Sequence, residues 1–242
     1  MPILTKLLNG NKKSWPVFGA YSLAGDSHVG KVRMLNEDAY MVINHAWNDA
    51  ILMGIADGMG GHEGGEIASY LVVRYLLSGW NNNGKACFDS RPHITGFLTS
   101  CLSKANYHIY RVNSKLNIRW KMGTTATIAV LWRNRIVVAQ IGDSRCYRFR
   151  SGKIKQLTDD QNWRTKMMHF GGMTQKEADA HPRAHTLTNC IGTCGQLRIA
   201  FYDYPIKKGD RYLVCSDGLS SLRAGQRHSR PVEEQWDRRR HG

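Results

Sequence analysis

The chain has 242 residues, 42% of them hydrophobic, and carries 34 Lys and Arg against 19 Asp and Glu, a formal net charge of +15. That length holds one large domain or two small ones with a sizeable core. No apolar run approaches the roughly 20 residues of a membrane-spanning helix, and the apolar stretch in Met1–Gly10 is too short for a secretory leader, so a cytoplasmic protein with no membrane partner is expected.

The basic residues are scattered, as in Arg133 and Arg135 or Lys153 and Lys155, without a long Lys/Arg block or an RNA-binding signature in the first two hundred residues. A solvated basic surface accounts for them, and no nucleic acid is expected as a partner. The six cysteines form no C-x-x-C pair, which argues against a zinc site and for reduced thiols.

In chain order, residues 1–16 form a lead-in. Val17–Leu23 and Ala39–Ile43 are predicted strands. Ala50–Ala56 is a buried strand running straight into Asp57-Gly58. A helix is predicted from Glu63 to about Leu77, with Ile67, Leu71 and Tyr75 on one face. A second helix covers Ile94 to Asn113, with Pro92 near its start. A β-rich region follows. Thr124–Trp132 and Arg135–Ile141 pair across Arg133-Asn134, and Cys146–Arg150 pairs with Lys153–Leu157 across Ser151-Gly152. Gln161–Ala180 is polar and helical in parts. Arg198–Tyr204 and Tyr212–Cys215 flank the turn Lys207-Lys208-Gly209-Asp210, and the last strand ends on Ser216-Asp217-Gly218. Hairpins outnumber βαβ crossovers, so the expected class is α+β, with antiparallel sheets and helices packed outside.

Acidic residues are scarce, yet several stand at strand ends beside glycine. Asp57 precedes Gly58, Asp143 follows Ile141-Gly142, Asp217 precedes Gly218, and Glu37-Asp38 precedes the strand at Ala39. Mg²⁺ and Mn²⁺ are hard cations held by a few carboxylates plus water, and a strand end is a rigid support for such ligands. Asp-Gly is also a common turn dipeptide, so each acid alone is equally a turn residue.

Five strings, in order, resemble the motifs of the PP2C family of metal-dependent protein phosphatases, closest to its compact bacterial members. They are Gly30-Lys31-Val32-Arg33-Met34-Leu35-Asn36-Glu37-Asp38-Ala39, Asp57-Gly58-Met59-Gly60-Gly61-His62, Gly123-Thr124-Thr125-Ala126, Ile141-Gly142-Asp143-Ser144-Arg145 and Cys215-Ser216-Asp217-Gly218-Leu219. The resemblance covers about Ala20 to Ser221. It implies a central β-sandwich flanked by helices in α/β/β/α layers, two Mn²⁺ or Mg²⁺ ions, and hydrolysis of phosphoserine and phosphothreonine in proteins, opposing a serine/threonine kinase.

It also implies roles. Asp57 bridges both metals, the Gly58 carbonyl binds one and Asp217 the other. Glu37 and Asp38 hold metal-bound waters, Arg33 grips the substrate phosphate, and Asp143 helps to hold a weaker third metal. Asp143 is equally readable as a turn residue. Where many eukaryotic members carry a general-acid His directly after Asp-Gly, this chain has Met59, so that role does not pass to His62, which is read as a helix-start residue. Thr158–His185 resembles the mobile flap of bacterial members and is expected to shape substrate choice.

After Ser221 the chain departs from the family pattern. Residues 222–242 hold six Arg against three acids, show little apolar periodicity and lack the later Asp-Asn motif that supplies a further metal ligand. This basic tail is expected to be disordered, with the last strand and helix missing, metal affinity weakened and stability reduced. That departure keeps a second reading open: a weak or inactive phosphatase-like module that binds phosphoproteins or another partner.

Overall fold

The computed structural model describes residues 13–14, 21–31, 33–45, 50–60, 64–82, 88–115 and 121–220. Most of the lead-in, residues 17–20 of the first expected strand, Gly61 and His62, and the tail 222–242 lie outside them.

Eleven strands and five helices run in the order β1 (Lys13–Ser14), β2 (Ala24–Gly25), β3 (Asp38–His45), β4 (Ala50–Met59), α1 (Gly65–Asn82), α2 (Arg91–Lys115), β5 (Gly123–Thr124), β6 (Ala126–Trp132), β7 (Arg135–Ile141), β8 (Arg145–Arg150), β9 (Lys153–Gln156), α3 (Trp163–Phe170), α4 (Gln175–Ala180), β10 (Ala200–Pro205), β11 (Arg211–Cys215) and α5 (Asp217–Ser220) among the described residues. The main sheet has the order β10-β7-β6-β4-β3, with β5 added to β4, and a three-stranded sheet has the order β11-β8-β9. Every described pairing is antiparallel, as the hairpin-rich sequence predicts.

The main sheet is covered on both faces, which explains why β6 and β7 read as continuous apolar runs rather than alternating ones. One face packs Leu52, Ile128 and Val137 against Val72, Leu76 and Trp80 of α1 and Leu98, Leu102 and Ile109 of α2. The other packs Ile51, Leu131, Ile136 and Val138 against Cys146 and Leu157, with Tyr212 and Val214 alongside. The result is one helical layer over two sheets, an α+β architecture. No second pair of long helices occurs among the described residues.

The β8–β9 connection is a two-residue turn in which Ser151 and Gly152 both have positive φ, 50° and 69°, the geometry that matches strand twist. In α1 the buried stripe differs from the expected one. Ala68, Val72, Leu76 and Trp80 face the sheet, whereas Ile67 is 49% exposed and Leu71 and Tyr75 pack only at the edge of the core. The helix is apolar around much of its circumference, so periodicity alone selected the neighbouring stripe.

Candidate active site

The acids singled out in the sequence come together where the ends of the two sheets meet. In the β3–β4 ladder, Asp38 and Asp57 are direct partners. Antiparallel register therefore sets two carboxylates face to face, an arrangement that repels if both ionise without a counter-charge. Asp217 begins α5 at the end of β11, and the preceding Ser216 hydroxyl donates to Asp38 Oδ2 at 2.8 Å. The Asp57 carboxyl hydrogen-bonds with those of both Asp38 and Asp217.

The backbone at Asp57 is fixed from several sides. Its N–H donates to Thr125 Oγ1 at 3.0 Å and its carbonyl accepts from Thr124 Oγ1 and Thr125 N, each at 2.9 Å. Gly58 N donates to Glu37 O at 3.1 Å. A Cβ on Gly58 would lie 2.1 Å from Gly65 O and 2.6 Å from Glu37 O, so β4, the Glu37 turn and the start of α1 close together only around glycine. Ser69 Oγ, from α1, also donates to Glu37 O at 2.6 Å.

Packing so many acids together perturbs them. Burial first, then the charges of Asp38, Asp217 and Asp143, pushes the Asp57 carboxyl up to about 8. Burial also raises Asp38, against the lowering effect of the Ser216 hydrogen bond. Asp143 is pushed up to about 6, by burial and then by Asp217 and Asp160. Glu37 Oε2 lies 3.4 Å from Arg33 Nη1, while Oε1 is buried without a hydrogen-bond partner among the described residues. Arg33 itself is 63% exposed. Among the described residues, no group of three or more His, Cys, Asp or Glu side chains stands close enough together to hold a metal ion.

Asp143 sits in the turn after β7, and that turn is built on a buried polar network the sequence did not announce. Thr127 Oγ1 donates to Gln140 Oε1 and to Ser144 O, both 2.7 Å. Gln140 Nε2 donates to Gly142 O and Ser144 O. Gln161 closes the turn from outside, its Oε1 accepting from Gly142 N and its backbone N donating to Gly142 O, each at 2.9 Å. Next to it, the Arg145 guanidinium forms a two-point pair with Asp160, 2.8 and 2.6 Å. Such fork-to-carboxylate pairs orient as well as attract.

Two buried asparagines of α2 are a second omission. Asn106 accepts from Gly192 N at 2.8 Å and donates to Cys194 O at 3.1 Å. Asn113 donates to Met122 O and Gly192 O at 2.7 and 2.8 Å and accepts from Met122 N. They strap the 190–195 loop to α2. Ile191 in that loop exchanges two backbone hydrogen bonds with Thr124, the residue that braces Asp57. Two Asn seven apart, both on the apolar side of a long helix, were the available signal.

The segment expected to be a flap carries α3 and α4. Asn162 caps α3 and Thr174 with Glu177 forms a capping box on α4. Arg164 pairs with Asp179, and Trp163 stacks on His181 with centroids 3.9 Å apart.

Residues 24–241 match the family model of protein phosphatase 2C. The chain belongs to the PP2C family. The matched span includes residues 222–241, the basic stretch that lacks the later Asp-Asn motif. This phosphatase is 30% identical over 194 residues to the serine/threonine phosphatase stp of Listeria monocytogenes, covering 80% of this chain and 75% of that one. It is 32% identical over 199 residues to protein phosphatase PhpP of Streptococcus pneumoniae, covering 81% and 78%. Among solved structures, the Streptococcus agalactiae serine/threonine phosphatase superposes with a TM-score of 0.74 at 27% identity, covering 85% of this chain and 86% of the other. The catalytic domain of serine/threonine protein phosphatase PstP, solved with two manganese ions, superposes with a TM-score of 0.61 at 32% identity, covering 79% and 75%.

Proposed function

We propose that this PP2C-family chain hydrolyses phosphoserine and phosphothreonine in proteins at the Asp38–Asp57–Asp217 cluster, with two Mn²⁺ or Mg²⁺ ions. The observation that carries the reading is Asp57, a half-buried carboxyl in hydrogen-bond contact with two others. Held without a cation, the set must keep protons that a carboxylate normally sheds. The donor chemistry fits hard divalent cations: oxygen atoms only, a few carboxylates, and a buried Glu37 Oε1 with an unfilled acceptor position. Such ions commonly complete their shells with water, so a fully closed protein cage is not needed.

Asp57 would contact both ions, the Gly58 carbonyl one and Asp217 the other. Glu37 and Asp38 would orient water around them, and Asp143 would help to hold a third, weaker ion. When bound, two cations offset phosphate charge and acidify a bridging water for in-line attack. Arg33 presents a two-point fork to the phosphate oxygens, and its contact with Glu37 limits where that fork can point. The Thr124 and Thr125 hydrogen bonds fix the backbone from which the Asp57 carboxyl projects. Serine and threonine phosphoesters are made by phosphoryl transfer, so a serine/threonine kinase is the opposing activity. The cytoplasm, where that chemistry has its nucleotide supply, is the proposed compartment; no described helix is long and apolar enough to cross a membrane.

The test is hydrolysis of an aryl phosphate and a phosphothreonine peptide with added Mn²⁺, beside Asp57→Ala and a chelator control. Turnover that requires Mn²⁺ and disappears in the variant is expected. A folded chain with no Mn²⁺-dependent turnover would overturn the enzymatic reading and favour the phosphoprotein-binding module.

A further inference from the structure

The outer face of α2 has a charge pattern that neither the fold nor the active site explains. Over its 25 residues, Arg91 to Lys115, the helix contains no Asp or Glu. Exposed helices ordinarily interleave both signs, because acid–base neighbours three or four apart stabilise them. Here Lys104, His108, Arg111 and Lys115 are all exposed and fall at spacings of four, three and four, which places them on one stripe. None of Lys104, Arg111 and Lys115 forms an ion pair among the described residues.

Aromatic rings border the stripe. Tyr107 is 54% exposed. Its hydroxyl accepts from Arg111 Nη1 at 3.1 Å, and the guanidinium lies 5.6 Å from its ring centroid. His108 packs between Tyr107 and Tyr75 of α1, with centroids 5.7 and 5.4 Å away. The guanidinium is thus held in place by a ring rather than by a carboxylate, which leaves its charge uncompensated.

We propose that this stripe docks a short, extended acidic segment of a partner protein. Lys104 to Lys115 spans roughly 16 Å at the helical rise, the length of about five residues of extended chain. Tyrosine and arginine together are the composition of protein-binding hot spots. Nucleic acid fits less well, since three fixed charges fall short of the roughly 6–10 phosphate contacts of a typical complex. A bilayer also fits less well. Cys101, Leu102, Ala105 and Ile109 are spent in the core, and the hydrophobics that this half exposes, Tyr107, Tyr110 and Val112, fall short of the broad apolar face an inserting helix needs. Docking here is separate from catalysis: none of these side chains belongs to the acidic cluster.

The experiment compares the full chain with Lys104→Glu/Arg111→Glu/Lys115→Glu and with the milder Lys104→Gln/Arg111→Gln/Lys115→Gln. Fluorescence anisotropy follows a labelled peptide of sequence Glu-Glu-Tyr-Glu-Glu at low and moderate salt. A 20-nucleotide single strand and phosphatidylserine vesicles serve as competing probes. The expected result is salt-dependent peptide binding, weakened about tenfold or more by the Glu variant and less by the Gln variant. Circular dichroism and aryl phosphate turnover should be unchanged in both. Peptide binding that survives both substitutions, or tighter binding of the DNA or the vesicles than of the peptide, would overturn the proposal. The binding readout needs no catalysis, so loss of turnover in the native chain would refute the enzymatic reading alone.

Discussion

Replacing Asp57 by Asn should stabilise the metal-free protein while abolishing its response to metal. In the folded, metal-free chain the Asp57 carboxyl keeps its proton to about 8, whereas the ordinary value is 3.8. Between those limits the folded state binds more protons than the unfolded state, so stability falls as pH rises through the window. At pH 7 the difference corresponds to about 4 kcal/mol, and at pH 5 to about 2 kcal/mol, at 1.36 kcal/mol per pH unit. Asn has the shape of the neutral acid and no charge to desolvate, and relaxation of the neighbouring acids lowers the gain. An increase of about 2 kcal/mol or more at pH 7 is expected, roughly 4–8 °C in Tm for a domain of this size. The assay is urea or thermal unfolding in chelator at pH 5 and 7, repeated with Mn²⁺. The native chain should gain stability from Mn²⁺ and the variant should not. A variant that is no more stable than the native chain in chelator at pH 7, or that still responds fully to Mn²⁺, would refute the reasoning.

Gly58→Ala must push Gly65 O or Glu37 O aside and should cost roughly 3 kcal/mol, at the upper end of overpacking penalties, read by urea unfolding. Arg33→Ala should leave stability within about 0.5 kcal/mol, as for other exposed positions, while lowering kcat/KM for aryl phosphate about tenfold or more; Arg33→Lys should restore only part of it. Arg145→Met strands the buried Asp160, 5% exposed, and should cost roughly 2–4 kcal/mol, with Asp160→Asn in the same background recovering a substantial part.

Strand-and-turn punctuation carried most of the fold. The turns at Arg133-Asn134 and Ser151-Gly152 and the apolar runs of β4, β6 and β7 were legible because hairpin chemistry is local. The acids at positions 38, 57, 143 and 217 were legible as candidates through their shared setting at strand ends. Their convergence was not, because it depends on the Asp38–Asp57 register and on how β11 meets the main sheet. Nothing local reports such long-range placement. Gln140, Gln161, Asn106 and Asn113 escaped notice for a related reason. A lone amide in an apolar run looks like a blemish until the backbone groups it satisfies are known. The wrong face of α1 has a simpler cause: with apolar residues on adjacent stripes, burial is decided by the partner surface rather than by the helix.

The excursion through α3 and α4 leaves and rejoins the body at one pinch point. Asn162 bridges Leu187, Trp163 N donates to Thr186 O, and Thr188 N donates to Gln161 O. Because entry and exit are already neighbours, the intervening chain can vary in length at little entropic cost. The segment is therefore an exchangeable cassette. It could be shortened to a turn, or grafted from a relative, with the acidic cluster and both sheets left standing.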